Sequence, residues 1–185
     1  MRPSLRLFLL CLVLLGITAI PGMSPSLAQG LPALIEGRAI SVADGDTFTL
    51  LDTHGRRWRV RLAGIDAPES AQPWADRSRL QLTQWLADRP IFLEPVKIDP
   101  FGRLVARTRI PSPDSPDELS DAGLLLVQAG LAWHFKRYKA DQSAGEYAAF
   151  ASAEQQARQS GRGLWSDPQP EAPWTYRERQ RAARR

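Results

Sequence analysis

The chain has 185 residues, 43% hydrophobic and 24% charged, a balance that suits one globular domain and excludes a disordered or fibrous chain. Its formal charge of +4 is modest, and its single cysteine, Cys11, excludes a disulfide scaffold or a cysteine-built metal site. Any metal site must therefore use oxygen or histidine ligands.

Residues 1–28 read as a secretory signal peptide. Arg2 and Arg6 precede the apolar run LFLLCLVLLGITAI, which is too short to span a bilayer, and Ser26 and Ala28 supply small residues for cleavage. Cleavage is expected between Ala28 and Gln29, giving a secreted or periplasmic protein without stable membrane association. Losing Arg2 and Arg6 leaves 22 basic residues against 20 acidic ones. Five of those basic residues are arginines in the last nine positions, so the body of the chain is slightly acidic and bulk charge says little about partners.

From residue 36 to 65 the pattern alternates between turn signals: GRAISVA, DGD, TFTLLD, THG and RRWRVRLAGI. Three short strands joined by tight turns are predicted. In the third, Trp58, Val60 and Leu62 share the core face, and Arg57, Arg59 and Arg61 share the other. A helix is predicted across residues 74–89 with Pro90 as its stop, and two more strands follow, IFLEPVKID and RLVARTRI, joined at PFG. After the loop PSPDSPDE come two helices: LSDAGLLLVQAG, ending at Gly130, and SAGEYAAFASAEQQARQSG, capped by Ser143 and stopped by Gly161. Five strands without regular crossover helices predict an α+β fold built on a small closed barrel, with about three packed helices. One domain is expected over residues 29–176, followed by a basic, solvated and flexible tail at 177–185.

Four carboxylates, Asp44, Asp46, Asp66 and Glu69, stand beside turns. If the fold gathers them, their repulsion calls for a hard cation such as Ca²⁺ or Mg²⁺. DGD taken alone is also an ordinary hairpin turn. Arg61 and Arg103 carry guanidinium groups that can grip two phosphate oxygens and oppose charge developing during attack on phosphorus. On a straight strand Arg61 and Asp66 would lie about 16 Å apart, so the backbone must bend between them, with Gly64 as the candidate position.

In order along the chain, DGDT, RLAGIDAPE, DPFGR, GLAW and GLWSD resemble the staphylococcal nuclease (thermonuclease) family in its secreted bacterial form, over residues 36–176. The resemblance implies a five-stranded OB-fold barrel and Ca²⁺-dependent hydrolysis of DNA and RNA with low sequence specificity. The P–O5′ bond would be cut, leaving 3′-phosphate ends, and the enzyme is expected to be a monomer. Carried over by motif, Asp46, Asp66 and the backbone carbonyl of Ala67 would hold Ca²⁺, with Asp44 behind them. Glu69 would take a proton from the attacking water or orient that water, and Arg61 and Arg103 would bind the scissile phosphate. Phe101 and Tyr138 are candidates for base stacking. His54 reads as a turn residue and His134 as a strand or surface residue, neither with a direct role. Pro100 and Phe101 depart from the family's usual basic-aromatic pair. The alternative is a nucleic-acid-binding barrel of the same fold without catalysis, which the joint presence of Asp46, Arg61, Asp66, Glu69 and Arg103 disfavours.

Overall fold

The structure, a computed structural model, describes residues 30–185. The expected signal peptide and its cleavage site lie outside the described residues.

Strict alternation builds the barrel. In β3 (Arg57–Leu62), Trp58, Val60 and Leu62 are buried while Arg57 and Arg59 are exposed, as the period of two requires. It pairs antiparallel with β2 (Thr47–Asp52), which pairs in turn with β1 (Ile35–Val42). The helix α1 (Ala75–Leu86) then crosses to β5 (Ile91–Ile98), which lies on β1 and forms a hairpin with β6 (Leu104–Pro111). Parallel pairing of Val60, Arg61 and Leu62 with Leu104, Val105 and Ala106 closes the circuit. The result is the closed five-stranded α+β barrel expected from the sequence. Inside it lie Phe48, Leu50, Leu93 and Ile110, all essentially inaccessible to solvent.

Two short additions were not anticipated. A three-residue strand β7 (Leu119–Asp121) extends the sheet from β6, and β4 (Ile65–Asp66) pairs with β8 (Trp133–His134) in a separate two-stranded ladder. Between α1 and β5 the chain turns through Asp88, so the helix stops before Pro90 is reached.

The helices α2 (Ala122–Gln128) and α3 (Ala144–Gln159) cover one side of the barrel. Ser143 caps α3 in a reciprocal arrangement with Glu146: each side chain accepts a hydrogen bond from the other residue's backbone N–H. This satisfies two otherwise orphaned donors. Short 3₁₀ turns occupy Lys136–Asp141, where the chain kinks at Tyr138, and Gly163–Ser166.

A fourth helix, α4 (Pro173–Ala183), corrects the expected helix count and runs into the residues read as a flexible tail, most of which are solvent-exposed as expected. Pro173 sits at its start, where a missing N–H costs nothing. Trp174 then packs edge-on to Trp133, with ring centroids 5.5 Å apart, and Trp133 packs in the same manner on Trp165 at 4.4 Å. This aromatic cluster forms a second, smaller core beside the barrel. Among the described residues no helix is long and apolar enough to cross a membrane.

Candidate active site

The site lies where three strands come side by side. Thr47 of β2 is opposite Arg61 of β3, and Arg61 is paired on its other flank with Val105 of β6, two residues after Arg103. Register alone therefore brings DGDT, Arg61 and the start of β6 together. Just after β3, Gly64 takes a left-handed φ of 76°, a conformation that costs glycine little, and the chain doubles back. Asp66, expected some 16 Å from Arg61 on a straight strand, is instead held by it: Arg61 Nη2 donates to Asp66 Oδ1 at 2.9 Å and to the carbonyl oxygen of Ile65 at 3.2 Å. The β4–β8 ladder and a hydrogen bond from the Phe135 N–H to the Gly64 carbonyl fix the bend from outside.

Arg61 also forms an ion pair through Nη1 with Asp46, so one guanidinium bridges two buried carboxylates. Asp46 is 5% exposed and Asp66 1%. Asp46 accepts further hydrogen bonds from Thr47 Oγ1 at 3.0 Å and from the Ala67 N–H at 2.9 Å. Burial pushes the Asp46 carboxyl up, but the Arg61 charge and these donors outweigh it, and its pKa is lowered. Asp66 goes the other way, raised chiefly by burial despite its arginine partners. Asp44 accepts from the Asp46 N–H at 3.0 Å, and burial together with the neighbouring Asp46 charge pushes it up to about 6.

The turn between Asp44 and Asp46 is packed from below. A Cβ added to Gly45 would lie 2.7 Å from Ser78 Cβ on α1 and 2.8 Å from Ala67 Cβ. The glycine in DGD is thus required by close approach, beyond the ordinary demands of a hairpin.

Glu69 reaches the same spot from the bend. Its N–H donates to Gln72 Oε1 at 2.9 Å, and Gln72 Nε2 donates to the Glu171 carbonyl at 2.9 Å, tying the bend to the segment that enters α4. Arg103 stands at the barrel seam. Its Nε donates to Asp99 Oδ2 at 2.7 Å and its Nη1 reaches Thr47 Oγ1 at 3.4 Å, next to Asp46. Asp99 in turn accepts from the Arg103 and Phe101 N–H groups. Burial pushes the Asp99 carboxyl up, but these hydrogen bonds and the Arg103 charge outweigh it, and it is held below the usual range.

Two of the residues gathered here escaped sequence reasoning. Gln72 carries no local signal. Arg177 of α4 extends its guanidinium onto Asp66, with Nη2 2.6 Å from Oδ2 and Nη1 3.3 Å from Oδ1, while Nη1 also meets Glu69 Oε1 at 2.6 Å. A proline followed by aromatic residues in PWTYR is a helix-start signal, and it was masked by the run of arginines.

The expected stacking residues are solvent-facing. Phe101 is 77% exposed, with the Arg103 guanidinium 5.6 Å from its ring centroid, and Tyr138 is 51% exposed, with Lys97 Nζ 4.4 Å from its ring centroid. His54 lies in the β2–β3 turn as expected, its N–H donating to Asp52. His134 is not at the surface: it is buried in β8, with Nε2 beside Gln142 Oε1 at 3.1 Å and its ring edge-on to Tyr147.

Among the described residues no three or more carboxylate, histidine or cysteine side chains are gathered as a ready-made metal cage. The chemistry of the donors nevertheless fits a hard cation. Asp44, Asp46 and Asp66 offer only oxygen donors, which suit such an ion.

Comparison with known proteins identifies relatives of this chain. Residues 59–167 match the family described as staphylococcal nuclease homologue. The chain is 33% identical over 143 residues to a micrococcal nuclease of Shigella flexneri, covering 76% of this chain and 79% of that one. It is 32% identical over 149 residues to an uncharacterized endonuclease of Escherichia coli O157:H7, covering 80% and 89%. A probable staphylococcal-like nuclease of Oryza sativa subsp. japonica, CAN2, is 33% identical over 129 residues, covering 70% of this chain and 32% of the plant protein.

Proposed function

This chain belongs to the staphylococcal nuclease family, and from that premise we propose that it is a Ca²⁺-dependent phosphodiesterase acting on DNA and RNA with low sequence specificity. The observation that carries the reading is the Arg61 bridge between buried Asp46 and Asp66, with Glu69 within reach of the same Arg177 nitrogen as Asp66.

Asp46, Asp66 and the Ala67 carbonyl would hold the cation, backed by Asp44. Bound there, Ca²⁺ supplies Lewis-acid polarisation of the phosphoryl group and neutralises charge. The chain's own residues do the rest. Arg61 and Arg103 present fixed donors to the phosphate oxygens and oppose the charge that grows in the transition state. Glu69 orients the attacking water and is the group placed to receive its proton. Water adds to phosphorus, the P–O5′ bond breaks, the 5′ oxygen takes up a proton from solvent, and a 3′-phosphate end remains. Phe101 and Tyr138, exposed and each beside a cation, are suited to stack bases of any identity. Export, read from residues 1–28, and action as a monomer belong to the same proposal. N-terminal sequencing of exported protein should begin at Gln29.

The test is cleavage of single- and double-stranded DNA and of RNA, with Ca²⁺ titrated from a chelated start. Cleavage should appear with Ca²⁺, fall by about 10²- to 10⁴-fold in Glu69→Gln, and fall by about 10²- to 10³-fold in Arg103→Ala. Tight binding without cleavage under any divalent ion would leave the non-catalytic barrel as the better description.

A further inference from the structure

Arg177 does something that the five motif residues do not account for. It arrives from the far end of the chain, 111 residues after Asp66, and its guanidinium covers both oxygens of that carboxylate while one nitrogen also grips Glu69. Among the described residues Asp66 Oδ2 has no donor other than Arg177, whereas Oδ1 is shared with Arg61. Fork-shaped contacts to a buried carboxylate are among the stronger hydrogen bonds a protein makes.

The address of Arg177 is set by its helix. Trp174, one turn earlier, packs against Trp133 and Phe135, with ring centroids 5.5 Å away in each case. Arg179 clamps Glu171 through two hydrogen bonds of 2.9 and 2.8 Å. Gln72 bonds the Glu171 carbonyl from the Glu69 side. The helix is thus anchored at its start, and Arg177 points from it into the carboxylates.

We infer that Arg177 is an internal counter-cation that competes with Ca²⁺ for Asp66, so that α4 is a C-terminal strap whose hold on the site is exchanged for the metal. The inference rests on the reading of Asp46 and Asp66 as cation ligands. A divalent ion beside Asp46 and Asp66 competes for the Asp66 lone pairs that Arg177 occupies and repels the guanidinium. Release of Arg177 from Asp66 also loosens its grip on Glu69, leaving that carboxylate open to water. Arg177 is a positioning residue in this scheme, acting through Asp66 and Glu69.

The experiment is calorimetric titration of the full-length chain with Ca²⁺ alone, without nucleic acid. Arg177→Gln should bind Ca²⁺ about tenfold more tightly than wild type, the scale of one charge-assisted hydrogen bond. Arg177→Lys, which keeps the charge but cannot bridge both carboxylates, should show a smaller gain in the same direction. Arg179→Ala, which releases Glu171 and the Tyr176 ring but no site carboxylate, should keep the wild-type Kd. An unchanged or weaker Kd in folded Arg177→Gln overturns the inference, and Arg177→Lys decides in the same way if the glutamine variant does not fold. Equal tightening in Arg179→Ala also overturns it, because the effect would then come from loosening α4. Asp66→Asn separates the two levels. Loss of Ca²⁺ binding in that variant keeps the ligand reading standing whatever Arg177 does, and wild-type binding in it removes both.

Discussion

Arg61 shows how much one side chain can organise. Its pKa is raised because the Asp46 and Asp66 charges outweigh the cost of its burial, so it stays charged throughout any usable pH range and fixes the separation of the two carboxylates. The motif letters around it were legible because they are local: DGDT and RLAGIDAPE each encode a turn, and β2–β3 register joins them. Gly45 was legible as a turn residue only, since its tight contact with Ser78 and Ala67 depends on where α1 packs. A methyl group there must displace atoms attached close to the backbone. Gly45→Ala should therefore cost about 1–3 kcal/mol by overpacking and shift Asp44 and Asp46 out of place. Urea denaturation and the cleavage assay should both register the change. The Arg177 contact was not legible, because nothing in local pattern can specify a partner 111 residues away.

Among the elements, α3 is the one whose ends the sequence marks fully. Ser143 is the expected cap, which Glu146 makes reciprocal, and Ser143→Ala should cost about 1 kcal/mol, seen as a lower denaturation midpoint with activity retained. Glu146 has a second role that spacing does not show, since it pairs with Arg107 of β6 and so pins the helix to the barrel. The Arg107 hydrogen bonds lower its pKa to about 2, from the ordinary value of 4.5. A carboxyl lowered in the folded state stabilises the fold above its unfolded value, and that contribution is lost as pH falls toward the folded value. Glu146→Gln should thus be less stable than wild type by about 1–2 kcal/mol near neutrality. The gap should close between about pH 4.5 and 2, as followed by denaturant midpoints at several pH values. α4 was misread because its arginines dominate the composition, whereas its placement comes from one half-buried tryptophan packed on Trp133 and one buried proline.

At the scale of the whole molecule, the closed barrel was legible in the count and alternation of strands, but which strands meet at its seam was not, because the parallel pairing of β3 with β6 has no local signature. Closure is what places Arg103 beside Thr47 and hence beside the carboxylates. A cation binding only to the closed form must stabilise it. With Ca²⁺ at about a hundred times its Kd the gain should be about 2.7 kcal/mol, raising the melting midpoint by roughly 5–10 °C, and chelator should abolish the rise. The seam has one more consequence, in time as well as in space. While the polypeptide is being synthesised, Arg61, Asp66 and Glu69 emerge well before Leu104, the first β6 residue paired across the seam, and Arg177 comes almost last. Domains fold as units during synthesis, so an unfinished chain holds its carboxylates without Arg103 in place. Under the proposed function, the cutting site is therefore complete only after elongation has passed the seam.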